Sequence, residues 1–376
     1  MPLTVGVLKE TLQSETRVAL TPEITAKLRG LGVAIVMEHD AGAGSQLLDS
    51  EYDGVEFTDA AGVLARSDLL FTVQPAEVDA VKKLKAGSVV AGLMYGHSNP
   101  GLVKTLNGKN LTGFAMELVP RISRAQSMDV LSSQAAAAGY QSVLIAATTL
   151  DKFFPMLTTA AGTIRPAQVL IIGAGVAGLQ AIATARRLGA IVTGYDVRSA
   201  TKEQVESLGA KFVETGVSAE GEGGYARELT DDEKEQQQAA LDKEIAKSDV
   251  VISTAAIPGR PAPRIISAGA VAAMKPGAVI VDLAAETGGN CELTVAGETV
   301  VENNVKIVGP VNLPAALGRH ASEMYARNLF NFIKPAIEEG ELKIDWDDEV
   351  FAQSVLTRDG ETKHEATRDA IEGGSA

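Results

Sequence analysis

The chain has 376 residues, 45% hydrophobic and 4% aromatic, with a formal net charge of −14. That length points to two domains, each able to bury a core, and the aliphatic bias suits parallel α/β sheets. The acidic balance disfavours nucleic acid and anionic membrane surfaces as partners and favours solubility.

From the N-terminus, Met1 to Glu10 has no basic-then-apolar signal pattern. Strand and helix patterns then alternate. Strands are expected at Val5 to Leu8, Val33 to Met37, Leu69 to Val73, Ser88 to Leu93 and Leu111 to Ala115. Helices are expected from Pro22 to about Leu31, then Ala60 to Ala65, Val78 to Leu84 and Leu102 to Leu106, with a turn at Gly42-Ala43-Gly44. Alternation of this kind predicts a parallel sheet with helices on both faces. No glycine triplet follows its first strand, so it is not read as a dinucleotide site.

Val130 to Leu150 carries no charge, but Ser, Gln, Thr and Gly dilute it too heavily for a bilayer span. It reads as a long, mostly buried helix. Further strands are expected at Gln168 to Ile172, Ala190 to Asp196, Val250 to Thr254, Ala278 to Asp282 and Val305 to Val308. Glu214 to Gln238 reads as a polar, glycine-rich stretch, Pro258 to Pro263 as a proline-rich turn and Met324 to Glu339 as a helix; the tail after Gly340 is charged. The expected fold is α/β: two Rossmann-like, doubly wound parallel-sheet domains joined by two long helices. The first comprises 1–130 plus 330–376, and the second 131–329.

The most informative stretch is Gln168 to Arg198. A buried strand leads into Gly173-Ala174-Gly175-Val176-Ala177-Gly178, then a helix to Leu188 stopped by Gly189, then a strand ending on Asp196. Strand, G-x-G-x-x-G, helix, strand and acid stand in the order of a dinucleotide site. Gly173 permits the tight turn, Gly175 lets a pyrophosphate approach the backbone, and Gly178 lets helix and strand pack closely. The helix N-terminus receives the phosphates and Asp196 a ribose 2′-OH. The acid should repel a 2′-phosphate, which favours NAD(H). Arg198, two residues later, argues the other way or is a solvated loop cation; the carboxylate on the strand end outweighs it.

Other candidates each have two readings. Arg121 to Ser132 packs polar groups beside an apolar helix; it suits a nicotinamide carboxamide and ribose, or a helix N-terminus with caps and a salt bridge. Gly221 to Arg227, with Tyr225 at its tip, is a flap or a connector. Arg17 binds a carboxylate or pairs locally. His97 is read as structural, and Glu286 as a base or a loop hydrogen-bonder. Cys291, the one cysteine, excludes an internal disulfide, points to a reducing compartment and reads as a small buried residue. The four histidines are scattered, so no metal is expected.

Pro120 to Leu131, Val169 to Leu179, Asp196-Val197-Arg198, Thr201 to Gly209, Gly223 to Ala226, Ile257 to Pro263, Gly288 to Glu292 and Ile344 to Asp348 together resemble the NAD(H)-binding α subunit of proton-translocating NAD(P) transhydrogenases, over nearly the whole chain. The resemblance implies that Arg121, Gln126, Asp129 and Ser132 position the nicotinamide, with Ser127 and Met128 in the same loop. It implies cofactor contacts at Gly173, Gly175, Val176, Ala177, Gly178, Asp196, Val197, Arg198, Gly224, Gln237 and Ala256, with Tyr225 folding onto bound nucleotide. It also implies a homodimer, NADP(H) on a partner subunit, and direct hydride transfer coupled to proton movement by membrane-spanning subunits, this chain sitting peripherally on the cytoplasmic face. Alanine dehydrogenases are related and supply the second reading. Arg17 matches their substrate arginine, but Gln74 stands in place of a lysine and Glu286 in place of an aspartate, while His97 falls near their histidine. A third reading is an NAD sensor without catalysis.

Overall fold

The computed structural model describes residues 2–216, 230–256 and 261–373. The chain divides into two compact units, Met1–Gln134 with Pro314–Ala376, and Ala135–Leu313.

The first unit is built on an eight-stranded sheet in the order Glu361–Thr362, Val355–Arg358, Thr112–Ala115, Val89–Gly92, Leu69–Phe71, Thr4–Val7, Ala34–Glu38, Glu56–Thr58. The six N-terminal strands run parallel. Their side chains feed two cores, as a sheet covered on both faces requires. Leu69 and Phe71 enter one core and Leu70 the other. The order reverses at Thr4–Val7, which pairs with Ala34–Glu38 on one side and Leu69–Phe71 on the other.

The tail is not merely a charged end. Val355–Arg358 adds antiparallel to Thr112–Ala115, because Val355, Leu356 and Thr357 are buried. Beside it Trp346 stacks on Phe114 with centroids 5.9 Å apart, and the Arg358 guanidinium lies 3.9 Å from the indole centroid. The helix expected from Met324 also differs from expectation. It spans Gly318–Ile333 rather than Met324 to Glu339, and ends where Pro335 can no longer donate to its ladder.

The second unit has a seven-stranded sheet in the order Lys211–Phe212, Ile191–Tyr195, Gln168–Ile172, Val250–Ser253, Val279–Asp282, Val305–Val308, Thr299–Glu302. All pairs are parallel except the last, a hairpin turning through Asn303 and Asn304 at positive φ. Val169, Ile171, Val250 and Ile252 face one core; Leu170, Ile172 and Val251 face the other. Val130–Thr149 is one helix, as expected, and crosses between the units in its first turns. Several elements of this unit are absent from the sequence reading, among them the edge strands Lys211–Phe212 and Thr299–Glu302. Helix Asp231–Lys247 begins inside the stretch read as polar and glycine-rich; Thr230 and Glu233 form a capping box at its start. A small exposed hairpin pairs Leu157–Thr159 with Gly162–Ile164. Among the described residues no helix is long and apolar enough to cross a membrane.

Candidate dinucleotide-binding site

The second sheet reverses its order at Gln168–Ile172, which lies between Ile191–Tyr195 and Val250–Ser253. Open α/β sheets bind ligands beyond the carboxyl ends of strands at such a point. Here the chain leaves the strand through Gly173, whose φ of +95° is costly for a residue with a Cβ. Helix Val176–Arg187 follows, with Gly175 as N-cap and no side chain bonded to the cap. Its first amides are free to bind an anion, and the macrodipole favours one. A Cβ on Gly175 would meet nothing within 4 Å, so the approach to this backbone is open. Gly178 is the opposite: its Cβ would overlap the Gly173 carbonyl oxygen. Val176 is exposed and Ala177 half-buried at the start of the helix.

Asp196 follows Ile191–Tyr195. One carboxylate oxygen accepts from the Ala174 amide at 2.7 Å, which joins the acid to the glycine turn. Arg198 is exposed, as a loop cation would be, and also pairs with the acid: its Nε and Nη2 donate to the two oxygens of Asp196 at 2.9 and 3.0 Å, and its own amide donates at 2.9 Å. Two residues of separation suffice for a side chain of this length to fold back. Burial alone would raise the Asp196 carboxyl, but these bonds outweigh it and hold it below the usual carboxylate range.

Val197 is exposed at this rim. On the other side, Thr254 Oγ1 donates to the Ile172 and Gly173 carbonyls at 3.2 and 3.1 Å, and Ala256 is exposed just beyond it. Gln237 is half-buried on helix Asp231–Lys247. Gly224 and Tyr225, with the rest of the expected flap, and Ile257 to Arg260 lie outside the described residues. Sequence reasoning missed Gly139, in the long helix, where a Cβ would overlap the Ala177 carbonyl oxygen; small size at that position lets the long helix reach the phosphate-binding one.

In the first unit, Ser123–Met128 is a 3-10 turn. Arg121, Gln126 and Ser127 are exposed, whereas the Met128 side chain is buried in the core. Arg124 forms a two-bond pair with Asp348 at 2.8 and 2.5 Å, and the Asn328 and Asn331 side chains donate to the Ser127 carbonyl at 2.8 and 3.1 Å. Asp129 caps the long helix, accepting from the Ser132 amide at 2.9 Å and the Ser132 hydroxyl at 2.6 Å. The structure thus presents the capped-helix arrangement and leaves Gln126 projecting from a braced turn.

At the reversal point of the first sheet lies a buried polar cluster. Arg17 donates through Nε and Nη2 to Glu15 at 2.8 and 2.6 Å and through Nη1 to Gln134 at 2.9 Å. Gln74 also donates to Glu15, at 2.7 Å. Burial alone would raise the Glu15 carboxyl; the bonds from Arg17 and Gln74 outweigh it and hold it at about 2. Glu10 is pushed by burial up to about 7, against opposing bonds from the Val73 and Gln74 amides. His97 and Glu286 are exposed.

Glu10 carries a pH prediction. It keeps its proton to about pH 7 when folded, against an ordinary 4.5. The folded chain therefore binds more protons across that window and loses stability as pH rises through it. Glu10→Gln, neutral throughout, is expected to raise Tm over the parent at about pH 8 and not at about pH 4, in a pair of melts. An equal shift at both would disprove the assignment.

A doubly wound parallel sheet, an open glycine turn and an acid bonded to that turn define a dinucleotide-binding protein of the Rossmann class. The chain belongs to the alanine dehydrogenase/PNT family: residues 6–138 match "Alanine dehydrogenase/PNT, N-terminal domain" and residues 142–365 "Alanine dehydrogenase/PNT, C-terminal domain". That membership implies NAD(H) as the dinucleotide. It is 45% identical to an NAD(P) transhydrogenase subunit alpha chain of Rhodospirillum rubrum, over 96% of this chain and 98% of that one. The corresponding protein of Rickettsia prowazekii is 43% identical, with 97% of each chain covered. The crystal structure of a transhydrogenase from Sinorhizobium meliloti superposes with a TM-score of 0.85 at 42% identity, covering 96% of this chain and 99% of that one. Alanine dehydrogenases are more distant; that of Halomonas elongata is 27% identical over 98% of this chain and 96% of its own.

Proposed function

We propose that this chain is the NAD(H)-binding subunit of a proton-translocating transhydrogenase, holding NADH for direct hydride transfer to NADP+ on a partner subunit. The observation that carries this reading is the open glycine turn tied to Asp196, in a chain that matches transhydrogenase α subunits over nearly its full length. The residues fit the coenzyme: the unfilled helix N-terminus suits a pyrophosphate, and Asp196 suits a ribose hydroxyl.

NADH, when bound, supplies the hydride, so the chain needs no nucleophile. Its residues bind, orient and exclude water. The Val176 end of the helix holds the phosphates. Asp196 accepts the ribose hydroxyl, sharing Arg198 or releasing it. Arg121, Gln126, Asp129 and Ser132 orient the nicotinamide end, and Tyr225 closes over it. The functional division is 1–130 with 330–376 against 131–329. The partners are membrane-spanning subunits carrying the NADP(H)-binding domain, which hold this chain at the cytoplasmic face. A second copy of the chain completes a homodimer, supported by the apolar groups exposed around the small hairpin, Phe153, Met156 and Ile164. A monomer mass on sedimentation would remove that element.

The alanine dehydrogenase reading is disfavoured by the same structure. The Arg17 guanidinium is committed to Glu15 and Gln134, and Gln74 to Glu15. The deciding experiment is a stopped-flow assay with an NADP(H)-binding partner. Gln126→Asn, one methylene shorter, is expected to slow transfer about tenfold to a hundredfold while NADH affinity falls less than about threefold. Normal turnover would take Gln126 out of the mechanism. Pyruvate- and ammonia-dependent NADH consumption by the chain alone would select the other reading.

A further inference from the structure

We infer that Asn290 is a positioning residue for the dinucleotide site, holding Thr254 to Ala256 against the glycine turn. This rests on the dinucleotide reading of that turn.

Strand Val250–Ser253 pairs with Gln168–Ile172, so that Ser253 opposes Ile172 and the chain leaves the sheet beside Gly173. Beyond Ser253 the ladder between the two strands runs out. The Thr254 amide still reaches the Ile172 carbonyl at 2.8 Å, and Thr254 Oγ1 bonds to the carbonyl of Gly173. Among the described residues the Ala255 carbonyl pairs with no strand. Asn290, fully buried, supplies its partner: Nδ2 donates to Ala255 at 2.8 Å and to Pro263 at 2.9 Å. Both amide hydrogens are thereby used. The Asn290 side-chain oxygen accepts from Ser253 Oγ at 2.7 Å, which fixes the amide's orientation. Its backbone carbonyl accepts from the Ile265 and Ile266 amides at 2.8 and 3.0 Å.

One side chain therefore ties the two ends of the segment from Ala255 to Pro263 to a buried point. What it holds beside the phosphate turn is Thr254 and Ala255, which lie against Gly173, not the fold of the sheet: Val250–Ser253 keeps its own ladder on both sides. Only a planar amide fits. The site needs two hydrogens directed at two carbonyls and one acceptor directed at a hydroxyl. Aspartate keeps the shape but offers no hydrogen when ionised and faces two carbonyl oxygens. Serine loses volume but keeps one donor.

The test is NADH titration of the full chain, followed by fluorescence, with Tm measured without coenzyme. Asn290→Asp is expected to weaken NADH about tenfold or more, and Asn290→Ser less, about threefold to tenfold. Tm should fall by only a few degrees in the serine variant and by more in the aspartate variant. Unchanged affinity in the serine variant would overturn the inference, and that variant decides alone if the aspartate variant fails to fold. The reverse order, serine worse than aspartate, would show that volume rather than hydrogen bonding matters and would also overturn it. Gly175→Val separates the two levels. If it too leaves NADH affinity unchanged, the dinucleotide reading fails; if it abolishes binding while the Asn290 variants do not, only the role of Asn290 fails.

Discussion

Gly175→Val is expected to fold like the parent and lose coenzyme, whereas Gly178→Val, three residues later, is expected to lose the fold around it. Gly175 has φ −79° and ψ −169°, a conformation open to any residue, and faces empty space. A valine there costs the apo protein little but fills the position a phosphate needs, so NADH affinity should fall by about a hundredfold or more. Gly178 is buried, and its Cβ would collide with the Gly173 carbonyl. Backbone cannot move aside as a flexible side chain does. Overpacking against backbone sits at the upper end of its usual range, about 3 kcal/mol, which corresponds to a fall in Tm of about 6–12 °C for a unit of this size. Calorimetry and NADH titration on both variants check the pair. If both kept their Tm and their affinity, the turn would not be the binding element.

The second large effect is on coenzyme choice. In this structure Asp196 neutralises Arg198 through two bonds from one guanidinium. Asp196→Ser removes the carboxylate that repels a 2′-phosphate and at the same time frees a guanidinium suited to bind one. NADH affinity should fall and NADPH affinity rise, so that their ratio shifts by about a hundredfold or more. Adding Arg198→Ala to that background should cancel the NADPH gain. Titration with both coenzymes measures it. A gain that survives without Arg198 would refute the released-cation account.

The central parallel strands of both sheets are legible in the sequence because each is an apolar run bounded by turn residues, and the coenzyme turn because glycine spacing records steric demands directly; the short edge strands Glu56–Thr58 and Lys211–Phe212 are not, because neither is a buried apolar run. What stays hidden depends on partners distant in the chain. Val355–Arg358 reads as part of a charged tail until Thr112–Ala115 is set beside it. Helix Asp231–Lys247 has a weak apolar face, with Leu241 and Ile245 its buried residues, so periodicity does not reveal it. The Thr230–Glu233 capping box is the available signal. Asn290 falls within a recognisable motif, but its task is set by Ser253, Ala255 and Pro263, up to 37 residues away. The pairing of Arg198 with Asp196 stays hidden because composition does not reveal that a side chain folds back two residues.

Trp346 is the sole tryptophan of the chain, and it sits between Phe114 and Arg358, on the C-terminal segment that closes the first sheet. Its emission is therefore a private signal of that unit, silent about the other core. Circular dichroism registers both. If the two optical traces part company during a melt, the units unravel independently; if they superimpose, the whole chain opens as one cooperative body.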